Sequence, residues 1–280
     1  MGMAGELGLR LAGAAAILAA LSAFFWDLDR RLTGGAGLAV SQSLAAGRRP
    51  GPGQTAALSA ELLRGSIGPR PVGALALHIL QSSLVALLVL AIVALMTTPD
   101  HLATFLGTWE SVRRFVAILL LNGLTSVFLA GYAAAAVIGP LAPRIAACGP
   151  AGAAGFVLAE LAVRLAALVL VTAGTYVLFA RIGGSFGGSW RTALAVIPET
   201  LALALRGHSL ASVVTYAALL GGLPLQVVLL VKLAGSSPGF PALWRGLGRL
   251  VPLDGRPVRF FGILLAILAA AAALVASLVP

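Results

Sequence analysis

The stretch "AGAAGFVLAELAVRLAALVLVTAGTYVLFA", residues 151 to 180, runs for 30 residues with only two charges, Glu160 and Arg164. A helix needs about 20 apolar residues to cross a hydrocarbon core about 30 Å thick, so this run is long enough to span a bilayer with turns to spare. Its two charges are four residues apart, which lays them on one helical face with Glu before Arg, the order that favours pairing. The same face continues through Leu168, Val171 and Thr175. A charge at membrane depth costs about 2.5–3.5 kcal/mol on insertion scales and usually turns toward the interior of a bundle. Because the run exceeds what a span requires, the sequence reads first as an intrahelical salt bridge near one interface. A functional intramembrane pair is the sharper alternative.

The rest of the chain belongs to the same class. Of 280 residues, 60% are apolar and 10% charged, against about 45–50% and about 25% in soluble globular domains. The formal charge of +10 does not point to nucleic acid, since the basic residues flank apolar segments and form no aromatic-interleaved patch. The partner they imply is the lipid bilayer. Cys148 is the single cysteine, which rules out an internal disulfide and reads as an idle thiol.

Three regions follow along the chain. Residues 1–26 form an N-terminal transmembrane anchor, with its apolar core at 7–26. A cleaved signal peptide fits less well, because Glu6 and Arg10 leave almost no positive leader and Arg30 and Arg31 lie beyond the core. Residues 27–71 are a polar loop, broken by "GRRPGPG" at 47–53 and carrying an amphipathic helix at 54–67 that reads as an interface-lying linker. Residues 72–280 form the helical membrane domain, with further spans at 72–96, 115–139, 151–180, 209–231 and 260–279. The 14-residue piece 192–205, "TALAVIPETLALAL", reads as a re-entrant half-span.

Cytoplasmic loops collect Lys and Arg. With six full spans, loops 27–71, 140–150 and 232–259 share one side and hold twelve basic residues against six on the other. That arrangement predicts both termini outside the cytoplasm; the localisation expected is a bacterial inner membrane.

Few polar groups stand out. His78, His101 and His208 are scattered with no i, i+4 spacing and read as interface or helix-end residues, so no metal site is expected. No cofactor is expected either: "GGSFGGS" lacks the strand and the Lys-Ser/Thr ending of a phosphate loop. An intramembrane protease needs a Ser–His pair or two aspartates within spans, and the assigned spans hold no aspartate, so the chain reads as no enzyme. In "IPET", 197–200, Pro198 removes a backbone donor and Glu199 follows it. With Glu160 and Arg164 these residues form the candidate intramembrane polar site, since broken helices at membrane depth line cavities and carry transporter sites. Gly183, Gly184, Gly187 and Gly188 form a hinge ahead of the half-span, held at headgroup level by Arg181, Arg191 and Trp190. Ser212, Thr215, Gly222 and Gln226 form one polar stripe, Asn122, Ser126 and Ala130 another. With the small-residue series Gly131, Ala135 and Gly139, they read as helix-packing surface.

The stretch "YVLFARIGGSFGGSWRTALAVIP", residues 176–198, resembles a segment of Yip1-type bacterial membrane proteins, in which a span ends in Arg-Ile-Gly and Phe-Gly-Gly before Ser, an aromatic and Ala-Leu. The matching residues are Arg181, Ile182, Gly183, Phe186, Gly187, Gly188, Ser189, Trp190, Ala193 and Leu194. The Lys/Arg-Gly pair usual before the Ser is missing. The resemblance covers about a tenth of the chain and implies a polytopic protein without known enzymatic activity, with eukaryotic relatives in membrane trafficking.

The sequence thus predicts an all-α, polytopic bundle of six full spans and one half-span. Its leading functional reading is a non-enzymatic scaffold or accessory subunit of a membrane complex, with other membrane subunits as partners. The rival is a small-solute or lipid transporter that uses a broken helix near Pro198.

Overall fold

Apolar runs without internal turn residues leave the backbone one way to satisfy its polar groups in lipid, the helix. The computed structural model describes residues 3–30, 32, 35–67, 72–97, 107–117, 123–182, 189–192, 195, 210–249 and 256–278, and no strand occurs among them. Twelve α-helices lie there: α1 (Met3–Arg30), α2 (Ala36–Ala45), α3 (Pro52–Ser66), α4 (Val72–Thr97), α5 (Trp109–Ala117), α6 (Thr125–Ile138), α7 (Ala142–Ala147), α8 (Pro150–Ile182), α9 (Leu210–Leu220), α10 (Leu223–Ser236), α11 (Phe240–Gly248) and α12 (Pro257–Leu278). The chain is an all-α polytopic membrane bundle. Five segments are long and apolar enough to cross a bilayer: 10–30, 72–94, 125–147, 150–175 and 257–275. A sixth is counted if α9 and α10, which meet at 51°, form one broken span.

That break corrects the reading of 209–231 as one continuous span. The sequence there is "GGLPLQ", 221–226. Pro224 has no N–H to give the Leu220 carbonyl, and its ring clashes with that carbonyl in a continuous helix. The chain therefore restarts, with Gly222 as the N-cap of α10 and Pro224 in its first turn. The half-span expected at 192–205, Pro198 and Glu199 with it, lies almost wholly outside the described residues, as do the hinge glycines Gly183, Gly184, Gly187 and Gly188.

Two further differences concern the first third of the chain. Helix α1 continues to Arg30, so Asp27 and Asp29, placed beyond the span by hydropathy, ride on the spanning helix. Asp29 is buried, stabilised there by arginines that hydropathy cannot locate. Helix α3 forms where an amphipathic helix was expected, but it is not a linker. Leu58, Leu62, Leu63, Ser59 and Ser66 are fully buried, and α3 packs on α2, α7 and α10. Its hydroxyls cause no conflict, because Ser59 and Ser66 donate to the carbonyls of Thr55 and Leu62 one turn back.

The larger core joins Phe25 and Leu28 of α1, Leu62 of α3, Val228 and Val231 of α10, and Phe260 and Phe261 of α12. Gly262 sits directly against the Phe25 side chain, with no room for a Cβ, and this lets α1 and α12 approach closely. A second core gathers Leu87 of α4, Val127 and Ala130 of α6, Leu168 of α8, and Val213 and Ala217 of α9. The polar site lies beside this second core.

Candidate functional site at a broken helix

Glu160 and Arg164 are both buried, 8% and 6% exposed, which overturns the interfacial reading of the pair. At 1.5 Å per residue they stand roughly 15 Å and 21 Å from Pro150, in a span of 26 residues or roughly 39 Å. Neither charge is near an end. The Arg164 Nε and Nη2 groups both donate to one oxygen, Glu160 Oε1, at 3.0 Å and 2.8 Å. Their spacing on α8 makes the pair, but a third contact places it: Arg164 Nη1 donates to the Ala218 carbonyl at 3.2 Å.

Ala218 lies in the last turn of α9, whose final carbonyls have no helical partner. The Gly221 N–H takes one of these, donating to Ala217 O at 3.0 Å, and Arg164 takes the next. A cation at a helix C-terminus is also favoured by the backbone dipoles. The carboxylate meets the other side of the break. A Cβ at Gly222, the N-cap of α10, would lie 2.7 Å from the Glu160 carboxyl carbon, so the anion sits against a helix N-terminus, where the dipoles favour negative charge. Arginine thus faces the end of one half-helix and glutamate the start of the next.

The tandem glycines are required by this approach. A Cβ at Gly221 would lie 2.9 Å from Arg164 Nη1, so each glycine makes room for one member of the pair. Opposite them, Gly131 of α6 admits Ile79 of α4, whose Cγ2 would lie 2.8 Å from a Cβ at that position. The small-residue series read as packing surface therefore lets α4, α6 and α8 close around the charges.

A void of about 30 Å³ adjoins the pair, lined by His78, Ser82, Gly131, Ala134, Gly221 and Pro224 among others. That exceeds the about 10–15 Å³ of such space that a single water needs. A larger groove of about 580 Å³ lies beyond it, and Ile67 and Ala135 line both spaces. No known family profile, curated protein or solved structure matches this chain. The geometry of the break therefore carries the functional argument alone. Among the described residues, no group of three or more His, Cys, Asp or Glu is placed to hold a metal ion.

Of the four residues expected to form the polar site, the structure brings together Glu160 and Arg164; Pro198 and Glu199 lie outside the described residues. Sequence reasoning did not bring His78 to the site; it lies in the second turn of α4, is 4% exposed and stacks on Phe24 with ring centroids 6.2 Å apart. Sequence reasoning also missed the break at 221–224. The Gly-Gly-x-Pro order signals a break in any helix, but a hydropathy count passes over it because glycine and proline are not charged.

A second buried ion pair joins the helix ends. Asp29 Oδ2 accepts from Arg259 Nε at 3.0 Å and from Arg256 Nη1 at 3.2 Å, at the N-terminus of α12. The Arg259 guanidinium carbon also lies 3.6 Å from the Trp26 ring centroid. Lys232, read as the start of a polar loop, is instead buried in α10 and donates to the Ala146 carbonyl at the end of α7.

Proposed function

We propose that the chain is a permease or permease subunit that passes a small polar solute across a bacterial inner membrane, both termini lying outside the cytoplasm. One observation carries the reading: a buried ion pair occupies the break of a membrane helix, with each charge facing the half-helix end of opposite polarity. Broken membrane helices whose ends converge on a polar site are how many transporters bind substrate near mid-membrane. When Glu160 and Arg164 separate, they expose a carboxylate, a guanidinium and two half-helix ends to a solute. Paired, they close the site, and the small void beside them has room for water but not for a larger solute. The break that carries this reading is Gly221–Pro224; the one expected near Pro198 lies outside the described residues.

Scaffold or accessory subunit is the second reading, favoured by a different fact. All three Arg164 nitrogens make hydrogen bonds, so the pair also serves as a fixed clasp in a protein that never opens.

Cysteine accessibility separates the two without knowledge of the solute. In a Cys148→Ala background, Ser82→Cys places a thiol on the void and Val228→Cys places one in the other core, where exposure is 0%. Labelling of Ser82→Cys in native membranes by a membrane-impermeant thiol reagent, with Val228→Cys unlabelled, is the result transport requires. No labelling at either position would favour the scaffold. For topology, a reporter fused after Pro241 is expected to read cytoplasmic.

A further inference from the structure

The groove of about 580 Å³ between α3, α4 and α6 is within the range of small-molecule sites, about 300–1,000 Å³. We propose that it binds a membrane phospholipid, held by its phosphate at Arg64 and by an acyl chain along the apolar wall. This does not depend on whether the protein transports a solute.

The walls come from Ala60 and Ile67 on one side, Leu75 on another, and Ala135, Ala136 and Pro140 opposite. Arg64, in the last turn of α3, is the only charged residue among the described lining. It is exposed, and its guanidinium has no hydrogen bond or ion pair among the described residues. Arg144, next in the chain after the lining residue Pro143, is exposed as well. One positive charge thus lines an apolar groove, with the exposed Arg144 next in the chain to its wall. Leu75 lies in the first turn of the span 72–94, which puts the groove at one edge of the hydrocarbon layer. Outside it, Val72 and Leu77 are 69% and 55% exposed, as lipid-facing residues are.

Each feature selects against simpler ligands. A free anion would pair with Arg64 but leave the alanine and leucine walls wet, and an apolar molecule would leave the arginine unused. A phospholipid uses both, because the planar guanidinium fork matches phosphate oxygens while the chain buries apolar surface.

The test uses the full chain, delipidated in mild detergent, with thermal unfolding as the readout and three probes: phosphatidylglycerol, a diacylglycerol of the same chains, and inorganic phosphate. Phosphatidylglycerol is expected to raise the melting temperature of the wild type, and the other two are expected not to. Arg64→Gln should unfold like the wild type without lipid and lose the lipid-dependent rise. Ala136→Phe, which fills the groove while leaving the arginine, should lose it too. Equal stabilisation by diacylglycerol would make the site a chain groove without headgroup recognition, and equal stabilisation by inorganic phosphate would make it a free-anion site. Either result overturns the proposal, as does an undiminished rise in Ala136→Phe.

Discussion

Two buried carboxylates among the described residues are neutralised by arginine, and they differ in what remains when one partner is removed. Asp29 has two arginines. Arg259 is buried with it, while the Arg256 side chain is 45% exposed, so losing either leaves a cation within reach of the carboxylate. In the polar site, Glu160 has only Arg164 as an ion-pair partner among the described residues, and that arginine also holds a backbone carbonyl 54 positions away. The first arrangement is a latch with a spare, placed at helix ends where water is near. The second is a clasp, placed in mid-span where no substitute is available.

The difference predicts an order of mutational effects, measured by thermal unfolding in detergent. Arg164→Ala should be the most damaging, at about 3–5 kcal/mol, because it strands a buried carboxylate and leaves the Ala218 carbonyl without its donor. Next comes Arg259→Ala. It removes a charged hydrogen bond worth about 1.5–3 kcal/mol together with the contact over Trp26, but Arg256 still faces Asp29.

Gly222→Ala is expected to follow at about 1–3 kcal/mol, the usual cost of overpacking, because its new methyl group meets the Glu160 carboxylate. This variant sharpens the comparison, since the same change should cost less when Glu160 and Arg164 are both replaced by alanine. An equal cost in both backgrounds would mean that the glycine serves the turn and not the clasp. Arg256→Ala should be mildest, at most about 1 kcal/mol, as partly exposed pairs are. If it matched Arg164→Ala, the distinction between latch and clasp would fail.

The helices were legible because apolar runs of 20 residues have one structure available in lipid. Residues 72–96, 151–180 and 260–279 correspond to α4, α8 and α12 within a few residues. The pair itself was legible too, since an i, i+4 spacing depends only on helix geometry. Its burial was not, because Gly221, Gly222 and Ala218 are more than fifty positions away and hydropathy treats glycine and alanine as neutral filler. Excess run length suggested an interfacial charge pair; the actual reason for the length is that α8 continues past the span to Ile182. Helix α3 misled in a related way. Its serines and its short length look interfacial, yet each buried hydroxyl is satisfied within the helix, so little opposes its packing against α10.

The central claim is that Glu160 and Arg164 act as one unit buried against the break between α9 and α10. A double-mutant cycle on their thermal stability tests it most directly. The account predicts that Glu160→Ala and Arg164→Ala each cost about 3–5 kcal/mol, and that the double variant is more stable than either single one because no uncompensated charge remains. Single losses of at most about 1 kcal/mol each, the size found for exposed pairs, and additive in the double variant, would contradict it.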